Sequence, residues 1–446
     1  MRLNKIFSSS VLLLAFLTLA NTSIHAQLAV TEIHGFPSGT SGNSGLLVQS
    51  PDGTFFGITE GGGVRDQGTL FKLSPDGAFT TLLNFDSATT GSHPNPGLIF
   101  GSDGNLYGTT RSGGGAGNSG TVFKITTSGD VTILASFGFS GGNSPGAGLL
   151  LGTDGNFYGT TSQGGPDNAG TIFKMTPLGA ITTLHAFNIN DGSTTSASLI
   201  QATDGNFYGT TPQSGFGDFG TAGTVFKITP AGTFTTLATF DFSNGSSPSA
   251  RLLQGADGNF YGTTSHQADN DFGTVFKITP AGVLSTIVFF DSNNGANPTG
   301  GLILGKDGNI YGTTYQGGSA DSGTLFKVAP NGMFTSVYSF TTATPFNPSG
   351  LISGIDGTLY GIASQGGSLG GGAVYRYGAP SLVIARNSNT VTLTWPVTNP
   401  SFGLRSSSGI GAVWNPVTTT PTVTDNQNSI TLTVGANQEF FELQQN

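Results

Sequence analysis

Short apolar runs recur along this chain, each bounded by Gly, Asn, Asp or Pro, and no stretch carries the 3.6-residue period of an amphipathic helix. Around Asp154 the runs at 148–151, 156–161, 171–176 and 181–187 predict four strands. The first pair is expected to close on Thr153-Asp154-Gly155-Asn156, with Gly155 and Asn156 supplying positive φ, and the last pair on Pro177-Leu178-Gly179. The second and third runs are apolar on both faces, as in Phe157-Tyr158 and Ile172-Phe173. A strand of that kind belongs in a sheet covered on both sides.

The same four-strand unit repeats. Asp-Gly returns in one frame at Asp52, Asp103, Asp154, Asp204, Asp257, Asp307 and Asp356, at steps of 49 to 53 residues. That length suits a propeller blade, whereas leucine-rich and β-helix repeats are much shorter. After Asp356 no fourth run follows, but residues 30–36 provide one ahead of the first unit, so the N-terminal strand is expected to complete the last blade. From Ala379 the pattern changes to shorter runs at 382–384, 390–395, 403–405, 430–434 and 440–443, with Trp395 and Trp414 as core candidates. The expected fold is all-β: a seven-bladed β-propeller over residues 27–379, then a small immunoglobulin- or fibronectin-like β-sandwich over 380–446.

Residues 1–26 read as a signal peptide, with Arg2 and Lys5 before an apolar stretch and Ala26 at the cleavage position. That apolar stretch is too short to span a bilayer, and no later one is long enough, so export without a membrane span is expected. Composition agrees with the strand reading: 72 Gly and 21 Pro among 446 residues, with only 9% charged. The absence of cysteine excludes disulfides, thiol chemistry and a lipidated N-terminus. The formal charge of −9 becomes more negative once Arg2 and Lys5 leave, which argues against nucleic acid or an anionic membrane as partner. A monomer is expected.

Candidate chemistry is sparse. Lys72, Lys124, Lys174, Lys227, Lys277, Lys327 and Arg376 occupy one repeated position. They could form an anion-binding ring, but pairing with the turn Asp is the favoured reading. Gly-x-Ser-x-Gly occurs at 138–142 and 366–370 without the strand-turn-helix setting of a nucleophile elbow. His34, His93, His185 and His266 fall in different units with no zinc-motif spacing. No cofactor is expected; Ca²⁺ is the one ion that the many Asp leave open, although Asp66, Asp271 and Asp321 sit in Asx-x-Gly turns. In a propeller the second-to-third and fourth-to-first connections share one face, and these are the ones that diverge between units. They carry the candidate ligand-binding residues Glu60, Arg111, Gln163, Gln213, His266, Tyr315, Gln316 and Gln365, joined by Asp86, Asp241 and Asp291.

The phrase Asp-Gly-Asn-x-Tyr-Gly-Thr-Thr and the segment Gly-Thr-Val-Phe-Lys-Ile-Thr, in near-copies from about residue 30 to 377, resemble the GloVer tandem repeats of exported bacterial choice-of-anchor proteins. The resemblance implies export and a C-terminal attachment module, whose Phe-Phe-x-Leu pattern is matched by Phe440-Phe441-Glu442-Leu443. It implies no particular activity. A more distant resemblance is to streptogramin-lyase propellers, which have Trp and Phe where this chain has Tyr107 and Gly108. Two classes of function follow. One is a non-catalytic binding, envelope or matrix protein whose variable face takes an extracellular glycan or protein. The alternative is a propeller enzyme, lyase or glycan-active, with Glu60 and His266 as acid and base.

Overall fold

The computed structural model describes residues 29–39, 45–115, 117–138, 141–188, 190–213, 222–266, 272–378, 383–387, 390–396, 402–408, 415–424, 427–433 and 440–445. All named elements are strands, with no helix among the described residues. Between Ala29 and Gly378 they form seven antiparallel sheets, as in a β-propeller; in six of them the chain runs from one edge strand to the other, and in the seventh the N-terminal strand supplies one edge. In the third unit Asn143–Pro145 and Leu150–Leu151 both pair with Phe157–Gln163, which pairs with Thr171–Met175 and then Ile181–Ala186. The first strand is therefore longer than the sequence predicts. It is interrupted at 146–149, where Gly148 approaches the neighbouring unit so closely that an added Cβ would lie 2.2 Å from the Gly97 carbonyl oxygen.

Both faces of the middle strands are buried, and each sheet interlocks with the next. Phe157 packs back onto Tyr107 (ring centroids 4.3 Å apart) and Tyr158 forward onto Phe207 (4.0 Å). Each such ring contributes about 1.5–3 kcal/mol by leaving water. Apolar clusters of this kind join successive sheets, and one containing Phe36, Leu47, Phe55, Tyr360 and Val374 joins the seventh sheet to the first. The N-terminal strand Ala29–Pro37 pairs with Gly370–Gly378, Val30 opposite Tyr377, as the displaced fourth strand requires.

The repeated motif has a physical reason at each letter. Gly159 lies beneath the Phe173 ring of the adjacent strand, and a Cβ there would stand 2.5 Å from Phe173 Cζ. The Thr160 hydroxyl donates to the Ala197 carbonyl of the next sheet (3.4 Å), and Thr161 Oγ1 lies 2.9 Å from Thr171 Oγ1 across the strand pair. In the Asp-Gly turn only Gly155 takes a positive φ, +76°. Asn156, expected to share that role, serves the turn with its side chain instead: Nδ2 donates to Asp154 Oδ2 at 2.9 Å and its N–H to Oδ1 at 3.1 Å.

Beyond Gly378 the described strands make two further sheets. One has the order Val383–Asn387, Thr390–Pro396, Gln427–Thr433, Thr422–Thr424; the other is Asn415–Pro416, Phe402–Ser407, Phe440–Gln445. Trp395 is buried with Leu393, Leu404 and Ile430, as expected. Trp414 and the signal-peptide segment lie outside the described residues.

Candidate functional site

Two faces of the sheet array differ in how their polar groups are used. On the turn face, Asp154 Oδ2 accepts hydrogen bonds from Tyr158 Oη (2.8 Å), Asn156 Nδ2 (2.9 Å) and Lys174 Nζ (2.8 Å). Strand register dictates the meeting, because Tyr158 and Lys174 are directly opposed across the second and third strands. The ammonium also lies 5.6 Å above the Tyr158 ring. The same clasp unites Asp103 with Lys124, Asp204 with Lys227 and Asp257 with Lys277. Burial alone would raise the pKa of these four carboxyls; bonds from Lys, Asn and Tyr outweigh it and hold them well below the usual carboxylate range. The Tyr158 phenol moves up, through burial and its bond to Asp154. The repeated lysine is thus committed to the turn Asp in units two to five. Unit one departs from the pattern, with Phe56 in place of the tyrosine opposite Lys72, and unit six keeps the Tyr311–Asp307 bond without an ion pair to Lys327 among the described residues.

On the loop face, Arg65 Nη1 meets Asp86 Oδ2 at 2.9 Å, and Ser87 N–H donates to Gln67 Oε1 at 2.7 Å, so the two variable connections lie together. The predicted residues there do not form a single row. Gln163, Gln213, His266, Gln316 and Gln365 share one register position at the end of the second strand, each opposite a residue at the start of the first: Asn143, Ser193, Ser246, Ala296 and Phe346. All five are exposed. Glu60, Arg111 and Tyr315 occupy the position before, whose side chains point to the other face of each sheet.

Glu60 is taken up by Arg111, Oε1 to Nη1 at 3.3 Å, which bridges the first two units. His266 Nδ1 lies 2.8 Å from Ser265 Oγ, and its backbone exchanges hydrogen bonds with Ser246. Among the described residues no hydrogen bond or ion pair joins Glu60 to His266. Gln316 Oε1 accepts from Asn297 Nδ2 at 2.7 Å, and the Tyr315 N–H donates to the Asn297 carbonyl. Asp86, Asp241 and Asp291 cap their own loops: Asp86 Oδ1 receives the Ala88 N–H, Asp241 Oδ1 the Ser243 hydroxyl (2.7 Å) and Asp291 Oδ1 the Asn294 N–H (2.9 Å).

The other candidates resolve as structure. Asp66 and Asp321 accept N–H groups of their own loops from Gly62 and Gly317, while Asp271 lies outside the described residues. His34 stacks on Phe79 and His185 on Phe234, each reaching from an outer strand to the next sheet. Ser368 of the second Gly-x-Ser-x-Gly is bonded to Glu32, and Ser140 of the first lies outside the described residues. No group of three or more His, Asp or Glu side chains suited to a metal converges among the described residues. No helix among them is long and apolar enough to cross a membrane. One side chain that sequence reading missed is Arg251, two residues before the first strand Leu253–Gln254 of its unit, where the equivalent residues are mostly small; its only signal was that size difference.

Comparison with known proteins places these observations. Among solved structures, the chain resembles the periplasmic gluconolactonase of Pseudomonas aeruginosa at 16% identity, over 73% of this chain and 99% of that one, with a TM-score of 0.48. It also resembles a gluconolactonase of Xanthomonas campestris at 12% identity, over 73% and 82%, with a TM-score of 0.39. No curated protein matches the sequence. The Gloeobacter/Verrucomicrobia repeat matches twice, over residues 21–222 and 198–409, and these matches name the repeat rather than the choice-of-anchor group. The chain belongs to the Gloeobacter/Verrucomicrobia repeat family.

Proposed function

We propose that this protein is an exported, non-catalytic binding protein: a closed seven-bladed β-propeller that takes a neutral polar ligand, a glycan, on its loop face, followed by an immunoglobulin-like attachment module. Residues 1–26 act as the signal peptide, the propeller spans 27–379 and the module 380–446. The observation that carries the reading is the row of Gln163, Gln213, His266, Gln316 and Gln365, exposed at one register position on five successive units. Amides and an imidazole repeated on a rigid frame offer paired donors and acceptors to hydroxyl-rich ligands without the cost of burying a charge. The turn face spends its charges on its own Asp–Tyr–Lys clasps. On the loop face Glu60 is neutralised by Arg111, so the acid and base of the enzyme alternative are not brought together.

The test is a panel of neutral oligosaccharides offered to the purified mature chain. Gln316→Ala with Gln365→Ala should weaken binding at near-constant stability. Asn156→Ala with Asn206→Ala, on the turn face, should lower stability and leave the affinity of folded molecules unchanged. The reverse pattern would place the site on the wrong face. Turnover of a sugar lactone by the wild type, lost in Glu60→Gln or His266→Ala, would overturn the non-catalytic reading in favour of an enzyme.

A further inference from the structure

The residue just before the buried Leu, Ile or Val segment of each first strand occupies one register position in all seven units: Leu46, Gly97, Gly148, Ser198, Arg251, Gly301 and Gly350. These positions converge. A Cβ on Gly97 of the second unit would lie 3.2 Å from Gly148 Cα of the third and 3.8 Å from Ser198 Oγ of the fourth. One on Gly350 would lie 2.7 Å from Leu46 Cδ2, and one on Gly301 would lie 3.6 Å from Arg251 Cβ. An approach that skips a whole unit, from the second to the fourth, occurs only where strands crowd around a common axis.

Arg251 is the single charged residue at this level. Its two neighbours in sequence, Ala250 and Leu252, are buried in the sheet packing, whereas Arg251 itself is reached by solvent. Among the described residues it makes no hydrogen bond or ion pair. Enclosure by the surrounding protein lowers its pKa, and no carboxylate acts to raise it. Solvent access combined with enclosure is what a side chain in a narrow wet passage experiences. Six other cations differ in being paired: Lys124, Lys174, Lys227 and Lys277 hold turn carboxylates, Arg65 holds Asp86 and Arg111 holds Glu60. A guanidinium cannot shed its charge to relieve such a position, and its five N–H groups require acceptors.

We propose that Arg251 makes the central passage an anion site, binding a small oxyanion or the carboxylate of an acidic sugar at the crowded level between Ser198 and Gly301. The guanidinium supplies the charge and a planar pair of donors. Ser198 offers a hydroxyl at the same level, 3.8 Å from the point that a Cβ on Gly97 would occupy. The net negative charge of the chain repels anions at long range, so uptake is expected at a single local site rather than diffusely over the surface. The inference rests on the closed-ring reading of the sheets and is independent of the neutral-ligand reading of the loop face.

The experiment is isothermal titration of the full mature chain with sodium sulfate and, separately, sodium glucuronate, at ionic strength matched with sodium chloride. One saturable site is expected, weakened by at least about tenfold in Arg251→Met and unchanged in Gln316→Ala with Gln365→Ala. Sulfate binding alone would assign an inorganic oxyanion, and tighter glucuronate binding an acidic sugar. Because Arg251 has no hydrogen-bond or ion-pair partner among the described residues, Arg251→Met should melt at or above the wild-type temperature, and Arg251→Ser, the residue that unit four carries there, provides a second variant. Equal anion affinity in wild type and variant, no saturable binding by the wild type, or failure of both variants to fold would each overturn the proposal.

Discussion

The Ile355 N–H donates to Gln49 Oε1 at 2.9 Å, joining the turn of the seventh unit to the first strand of the first across 306 residues of chain. The same bond links Thr153 to Gln201 (2.8 Å) and Thr203 to Gln254 (3.0 Å), where the partners are sequence neighbours in successive units. In each case the glutamine also steadies its own turn, as Gln49 Nε2 does on the Gly53 carbonyl and Gln201 Nε2 on that of Gly205. One chemical device therefore serves two of the junctions between consecutive units and the junction that joins the last to the first.

This equivalence allows a test of when the ring closes. Gln49→Ala and Gln201→Ala remove like bonds and should each cost about 1 kcal/mol. The contact across 306 residues should form late, because loop closure must precede it. Gln49→Ala is then expected to raise the unfolding rate by about fivefold with little change in refolding, while Gln201→Ala slows refolding as well. Stopped-flow unfolding and refolding of the two variants would check this; identical partition of the two losses would count against late closure.

The clasp around Asp154 predicts an order of costs. Lys174 and Asp154 keep side-chain exposures of 30% and 40%, so their ion pair is screened and Lys174→Met should cost less than about 1 kcal/mol. Tyr158 is fully buried, and its hydroxyl donates to the same carboxylate. Tyr158→Phe retains the stacking on Phe207 but removes a charge-assisted bond, for about 1.5 kcal/mol. Urea melts of the two single variants and the double variant would show the ranking. A loss of several kcal/mol in Lys174→Met would instead mark the pair as effectively buried.

The depressed carboxyls set a pH dependence. Burial opposes ionisation of Asp103, Asp154, Asp204 and Asp257, but the bonds they accept prevail and their folded pKa values fall below the unfolded ones. Such groups contribute stability that is fully present above the unfolded carboxylate pKa, about 3.9, and is lost as pH falls through the folded values. The melting temperature should be level down to about pH 4 and then drop steeply. In Lys174→Met the Asp154 carboxyl should titrate at higher pH than in wild type, which carboxyl-carbon NMR would detect.

Much of this was legible because repetition turns one sequence into seven measurements of the same fold. Asp-Gly fixed the frame, the doubly apolar Phe157-Tyr158 announced a sheet covered on both faces, and the stray strand at 30–36 anticipated its pairing with Gly370–Gly378. What escaped was whatever depends on side-chain direction. The sequence groups Glu60, Arg111 and Tyr315 with Gln163 and Gln316 as candidates of one set of connections, yet a one-residue offset along a strand sends their side chains to opposite faces of the sheet. Asp86, Asp241 and Asp291 looked free because an Asx turn is closed by the chain's own N–H groups, which composition does not display. Arg251 was passed over because its level of the first strand is otherwise nearly featureless, and only the approach of Gly301 to its Cβ shows that the units draw together there.

The glycine of Tyr-Gly-Thr-Thr supplies the sharpest test of the packing. At Gly159 the objection to a side chain is spatial, since Phe173 Cζ would stand 2.5 Å from the new Cβ, and Phe173 is wholly buried with Phe137 and Phe157 around it. The ring cannot swing into solvent, so Gly159→Ala should overpack the cluster and cost about 1–3 kcal/mol. At Gly155, by contrast, nothing lies within 4 Å of an added Cβ, and the objection is the φ of +76° alone. Gly155→Asn should therefore be tolerated better than Gly155→Ala, because Asn accepts the left-handed region more readily. At Gly159 no such preference exists, and the remedy is to shorten the neighbour: Phe173→Leu should partly rescue Gly159→Ala, although each single change is destabilising. Thermal melts of the four variants and the double variant would check both positions. Additive losses for Gly159→Ala and Phe173→Leu would show that the ring does not lie over the glycine.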